Sequence, residues 1–310
     1  MTSISDRTSI RTPAGQVVGR GREVELLEAA LASGAHVVLE GPPGTGKSTL
    51  LRRVAADRES TFVLVEGNAE LTPARLVGHF DPALVLERGY RPEVFVDGPL
   101  LEAMRDGGLL YVEELNRVPE ETLNVLLTVM SERELNVPRL GRVAAHHGFR
   151  LVAAMNPYDT VGTARISSAV HDRTCRIVMG YQSAQDEHDI TALSGVEVPP
   201  EHRAAVVGLV RATRSHPDIR VGSSVRGAID VIGISSELAR RRGVAPTDWQ
   251  AGLDAALVAL SGRIRLGEAC TRTAEDVITA LWVEHFGRQP DPVDDGDTSD
   301  PGRGGGSGEA

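Results

Sequence analysis

GPPGTGKS, residues 41–48, follows the apolar run HVVLE (36–40) directly, and a helix-forming stretch opens behind it at Thr49. The spacing is G-x-x-x-x-G-K-[ST], in the strand–loop–helix context that gives it meaning. The glycines let the backbone curl so that successive N–H groups, from about Gly44 to Ser48, aim at phosphate oxygens, and the helix N-terminus adds a favourable dipole. Lys47 would reach the β- and γ-phosphates of a nucleotide and Ser48 would ligate Mg²⁺. The contact residues expected of this loop are Gly41, Gly44, Thr45, Gly46, Lys47, Ser48 and Thr49.

Working outward, four more short apolar runs alternate with helix-length connections: TFVLVEG (61–67), GLLYVEEL (108–115), RLVAAMNP (150–157) and CRIVMGY (175–181). Runs apolar on both faces, joined this way, predict a buried parallel sheet with flanking helices, an α/β fold. On the N-terminal side, Val24, Leu27 and Leu31 with Gly34 behind them predict a helix over 22–33. After Tyr181 the strand signal gives way to helical periodicity. Trp249, Leu253, Ala256, Leu257 and Leu260 form one stripe; Val277, Ile278, Leu281, Trp282 and His285 form another, opened by a Thr273-x-x-Asp276 cap. The chain therefore divides into a flexible arm (1–16), an α/β nucleotide-binding core (17–182), a small all-helical lid (183–287) and a disordered acidic Gly/Asp/Pro-rich tail (288–310).

Composition narrows the function classes. The 310 residues are 41% hydrophobic, enough for a full core and about two domains at roughly 150 residues each. The net charge is −10. The tail holds five Asp and one Glu against two Arg, net −4, which leaves −6 on the rest. That balance disfavours nucleic acid as a partner. Two cysteines far apart, Cys175 and Cys270, give neither a disulfide framework nor a cysteine zinc site and fit a reducing cytoplasm. No signal-peptide h-region and no apolar run of membrane-spanning length is present in the sequence, so no membrane insertion is expected.

The metal site needs an acid at the end of a buried strand, and Leu109-Leu110-Tyr111-Val112-Glu113-Glu114 supplies it. Glu113 stands where most such proteins carry Asp; the longer carboxylate would hold the Mg²⁺ shell through water. Glu114 would polarise the attacking water in an in-line displacement.

Beyond these two motifs the sequence resembles the MoxR family of AAA+ ATPases, in their helix-two-insert branch. GTARISSAVHDR (162–173) aligns without gaps on the family's GTxxLPEAxxDR, LYVEELNRVPEETLNVLLTVMSE (110–132) on its second acidic motif and following helix, and GSSVRGAID (222–230) on the second sensor of its lid. The resemblance covers roughly 17–286 and implies an ATP- and Mg²⁺-dependent hydrolase working as a homo-oligomeric ring, a hexamer. It implies a polar sensor role for Asn156, a γ-phosphate contact in trans for Arg173, with Arg165 and Arg176 close by as alternatives, and a phosphate contact from the lid for Arg226. Val18, Gly19 and Arg20 look like the segment that borders the adenine, and Asn116 and Arg117 match the family's acidic motif. Ser167-Ser168 and Thr174 depart from the family's Pro-Glu and Phe. Members of the family remodel or insert cofactors into a client protein, commonly with a von Willebrand factor A domain partner, which is the function expected here. The competing readings are an AAA+ nucleic-acid motor or loader, with Arg139, Arg142 and Arg150 lining a basic pore, and a small-molecule kinase, which would need neither Asn156, Arg173 nor a helical lid.

Two insertions remain. Residues 76–100 interrupt what would otherwise be one helix, and 133–150 alternate around Leu140-Gly141 as a hairpin would; the resemblance places both facing the pore or the client. His146 and His147 in that hairpin would point to opposite faces of a strand, arguing against a metal site. Leu123, Leu126, Leu127 and Met130 have the spacing of a core stripe.

Overall fold

The computed structural model describes residues 17–157 and 168–289. Residues 1–16, residues from 290 onward, and residues 158–167, which include Arg165 and the 162–167 part of the GTARISSAVHDR segment, lie outside the described residues.

Five parallel strands form the central sheet: β1 (His36–Glu40), β2 (Phe62–Glu66), β3 (Leu109–Glu113), β4 (Arg150–Met155) and β5 (Thr174–Val178), in spatial order β2-β3-β4-β1-β5. Alternate residues of the strands face opposite layers. Val37, Leu39, Tyr111 and Val152 pack on the helices α1 (Gly21–Ala32) and α2 (Lys47–Asp57) through Leu27, Leu31, Leu50 and Val54. Val38, Val112 and Ala153 face the other layer, where α3 (Pro99–Asp106) and α4 (Glu120–Glu132) bring Leu100, Met104, Leu123 and Leu126. The register sets Glu40 beside Met155 and Val178, and Glu66 beside Glu113, so the strands end along one edge. Loops leaving the carboxyl ends of parallel strands build the ligand site in such sheets, and here the 41–48 loop, Glu113-Glu114 and Asn156 all leave from that edge.

The C-terminal half is built from α5 (Ala184–Ala192), α6 (Pro200–Ala212), α7 (Val225–Arg242), α8 (Trp249–Leu260) and α9 (Ala274–Phe286) around a third apolar cluster that includes Val206, Val231, Leu260 and Trp282. Reciprocal capping boxes start α5 (Ser183 with Asp186) and α9 (Thr273 with Asp276), each satisfying two donors that a helix N-terminus leaves open.

Four expectations are corrected. The loop helix begins at Lys47, not Thr49, because Gly46 at φ 87° is itself the left-handed N-cap. The C-terminal half, expected to be all-helical, also holds a short ribbon: Ile219–Val221 and Arg265–Leu266 pair antiparallel, strands too short to show a period. In the α4 stripe, Thr122 and Val129 are buried while Leu127 and Met130 pack only partly. His146 and His147 do not diverge, since the strand ends at Ala144; their ring centroids are 4.1 Å apart.

Both insertions are elaborated. Within 76–100 a short antiparallel pair, Gly78–Phe80 with Phe95–Asp97, flanks the helix Pro82–Arg88. Glu134–Val137 pairs with Gly141–Ala144 as a hairpin. The two insertions meet: the guanidinium of Arg139, at the hairpin turn, lies 3.7 Å from the centre of the Tyr90 ring. Among the described residues no helix is long and apolar enough to cross a membrane.

Candidate nucleotide site

The 41–48 loop takes its shape from left-handed glycines, Gly44 at φ 74° and Gly46 at φ 87°. A Cβ on Gly41 would collide with the Met179 carbonyl oxygen, so the loop leaves β1 where no side chain fits. Lys47 Nζ donates to the carbonyls of Gly41 and Pro42, both at 2.9 Å, and so spans the cradle from within. Thr45, fully buried, donates from its hydroxyl to Pro42 O at 3.0 Å.

Burial lowers the Lys47 ammonium to a pKa of about 8, against the pull of Glu113 and with the help of Arg226 and Arg20. An anionic phosphate beside it would raise that value again. The sign of the linkage follows: below about pH 8 the lysine is charged in both states, whereas above it binding an anion takes up a proton. Triphosphate affinity is therefore expected to be flat from pH 6.5 to 7.5 and to fall by up to about tenfold per pH unit above the free-state value. Calorimetric titration in buffers of different ionisation heat checks this, and a flat affinity up to pH 9.5 would contradict it.

Ser48 Oγ donates to Glu113 Oε1 at 2.8 Å and lies 3.2 Å from the Tyr111 hydroxyl. Tyr111 is fully buried, and burial pushes its hydroxyl well above the usual phenol range, so it stays protonated. The serine hydroxyl and the carboxylate are hard oxygen donors close enough to share one small dication, which fits Mg²⁺. The extra methylene of Glu113 does not keep it from Ser48.

Glu114 leaves β3 in the left-handed region, φ 53° and ψ 46°, and its carboxylate is 3.2 Å from Arg117 Nε. This backbone rests on Gly67, where a Cβ would collide with Glu114 O, while Gly67 N donates to Glu113 O at 2.7 Å. Left-handed backbone at a non-glycine residue is strained and persists only when its surroundings hold it; Gly67 is part of what holds it here. Asn156 follows directly on Met155, the last residue of β4.

The helical half comes down onto the loop. A Cβ on Gly44 would collide with Ser224 Oγ and lie 3.7 Å from Arg226 Cδ. Between loop and helices is a cavity of about 180 Å³ whose wall includes Val18, Gly44, Gly46, Thr49 and Arg226. Gly19, at φ 68°, turns beside it and packs on the Asp186 carboxylate. Arg20 does more than border this cavity: 5% exposed, it donates from Nη2 to Thr45 O (3.0 Å) and Gly180 O (2.6 Å) and pairs with Glu23. That clamp joins three segments distant in sequence, and no local pattern announces it.

Arg173 closes the helix Ser168–Arg173, with Nε on Ser131 Oγ at 2.5 Å and Nη1 on Ala169 O at 3.1 Å. Arg176 is held by its own chain, 2.5 Å from the buried Glu40 carboxylate.

Sheet, loop and paired acids define a phosphate-loop nucleotide-binding fold of the AAA+ type. Residues 36–174 match the AAA domain (dynein-related subfamily). An uncharacterized protein of Staphylococcus haemolyticus is 34% identical over 148 residues, 47% of this chain and 56% of that protein. The gas vesicle ATPase GvpN of Haloferax mediterranei is 29% identical over 206 residues, 61% of this chain and 59% of the relative. The matches thus span a little over half the length of these two relatives. Among solved structures, a mutant of RuvB from Thermotoga maritima superposes with a TM-score of 0.53 at 17% identity, covering 79% of this chain and 72% of that one, a likeness of fold.

Proposed function

We propose that this chain is a MoxR-like AAA+ ATPase of the cytoplasm: it hydrolyses ATP in a homo-oligomeric ring, a hexamer, and uses the stroke to remodel, mature or load cofactor into a client protein, together with a von Willebrand factor A domain partner. The observation that carries this reading is the seating of Ser224 and Arg226 on Gly44. The helical unit (183–287) touches the very loop that would hold the phosphates of the α/β unit (17–182). Phosphate occupancy and the position of the helices are then one equilibrium, the coupling a remodelling motor needs and a small-molecule kinase does not. The name of the gas vesicle ATPase relative supports the hydrolytic part. The acidic balance of the chain speaks against a nucleic-acid motor.

In this reading the backbone N–H groups of Gly44 to Ser48 and the ammonium of Lys47 bind and orient the β- and γ-phosphates. Ser48 Oγ and, through water, the Glu113 carboxylate would hold Mg²⁺, which when bound would supply positive charge against the phosphate oxygens. Glu114 orients water and accepts its proton, Asn156 fixes the water or the γ-phosphate, and Arg226 meets the phosphates from the helical side. Arg173 completes the site of a neighbouring copy. The contact between Arg139 and Tyr90 joins the two insertions into one surface, on which Leu86 is 91% exposed; this is the surface offered to the client.

Sedimentation velocity with ATP and Mg²⁺, run beside phosphate release over a range of protein concentration, tests the ring. A hexamer and a specific activity that falls on dilution are expected. A monomer with undiminished specific activity at every concentration overturns the reading.

A further inference from the structure

The wall of the 180 Å³ cavity is apolar over much of its surface, with Val17, Val18, Ile190, Leu193, Val225 and Ile229 around a slot suited to a flat base. Its polar groups include two guanidinium donors, Arg20 and Arg226. Both terminal nitrogens of the Arg20 guanidinium are taken, by Thr45 O, Gly180 O and Glu23, while its Nε is a buried donor without a hydrogen-bond partner. Gln182 instead offers an open acceptor. It is 9% exposed, it lines the cavity, and its side-chain Oε1 is buried without a hydrogen-bond partner. Its amide reaches the phosphate loop, with Nε2 3.7 Å from where a Cβ on Gly46 would lie. Its backbone is fixed independently, the carbonyl accepting from Arg211 Nη1 at 3.0 Å. A buried acceptor left open is costly, and a site holding one binds best the ligand that brings a donor to it.

We propose that the Gln182 carboxamide reads the nucleoside, accepting a hydrogen bond from a donor of the bound nucleotide, the adenine 6-amino group or a ribose hydroxyl. This rests on the ATP reading above and adds to it the residue that sets nucleoside selectivity. The phosphate loop holds any nucleoside triphosphate by its phosphates, and the apolar slot accepts any purine face. A directional acceptor on the cavity wall is what distinguishes among them.

The test compares equilibrium binding of ATP, 2′-deoxy-ATP, 3′-deoxy-ATP and purine riboside triphosphate, which lacks the 6-amino group, to the full chain and to Gln182→Leu. The wild type is expected to bind one of the three analogues about tenfold more weakly than ATP, which identifies the donor. Gln182→Leu should bind ATP about tenfold more weakly and lose that discrimination, while its melting temperature without nucleotide does not fall, since the change removes an unpaired polar group from a buried site. Equal affinity of the wild type for ATP and all three analogues overturns the proposal without recourse to any variant. So does an ATP affinity or an analogue preference in Gln182→Leu unchanged from the wild type; in both cases tight ATP binding leaves the ATP reading standing. A wild type that binds no triphosphate removes the ATP reading itself.

Discussion

Glu114→Gln is expected to lower the rate of ATP hydrolysis by about 10²- to 10⁴-fold, the range typical of a positioned proton acceptor, while leaving nucleotide affinity within about twofold. The two readouts separate because Glu114 and the phosphate cradle are different parts of the site. Lys47 is hydrogen-bonded within its own loop, and Ser48 is bonded to Glu113, not Glu114. The carboxamide keeps the size and most of the shape of the carboxylate but cannot take a proton from water. The ion pair of Glu114 with Arg117 is about two-fifths exposed on each side, so its loss costs little stability. Phosphate release under saturating ATP, set beside the binding of a fluorescent nucleotide, measures both. Hydrolysis at the wild-type rate in Glu114→Gln would take the water-positioning role away from this residue. A parallel collapse of binding and turnover would mean that the left-handed backbone at 114, braced on Gly67, had been disturbed.

What was legible in the sequence follows from how far each feature reaches along the chain. GPPGTGKS and LLYVEE are local: a strand, a turn of fixed glycine spacing and a helix, or an apolar strand closed by two acids. With the other apolar runs they point to a parallel sheet, and in the register Glu113 and Asn156 leave from the same side as the loop. The features missed are those made by distant segments meeting. Arg20 touches Gly180 across 160 positions, Gly67 is required only because Glu114 turns above it, and Gln182 matters only because the helical half folds back over Gly46. The histidine pair failed for a smaller reason, that alternation holds within a strand and the strand stops at Ala144. The ribbon in the helical half escaped because two- and three-residue strands carry no readable period.

The trans assignment of Arg173 makes the sharpest demand on the ring. Within one chain its guanidinium is tied to Ser131 Oγ and Ala169 O and is about one-third exposed, bonds that a neighbour's phosphate can replace with stronger, charge-assisted ones. Arg173→Ala is expected to lower turnover by about 10³- to 10⁵-fold, the range for an arginine supplied to a γ-phosphate, with nucleotide binding retained. Loss of activity alone does not show that the residue acts on another copy, but mixing does. Arg173→Ala retains Glu114, and Glu114→Gln retains Arg173. In a ring built from equal amounts of the two nearly inactive variants, a site is complete when the nucleotide-holding copy is Arg173→Ala and the copy supplying the guanidinium is Glu114→Gln. With random assembly this holds for about a quarter of the interfaces, so the mixture should recover about that fraction of wild-type turnover, provided sites fire independently. An arginine acting within its own chain predicts no recovery at any ratio, since each variant then lacks one half of its own site. Recovery that rises and falls with the mixing ratio, peaking near equal amounts, is the signature of a cleft shared between two copies.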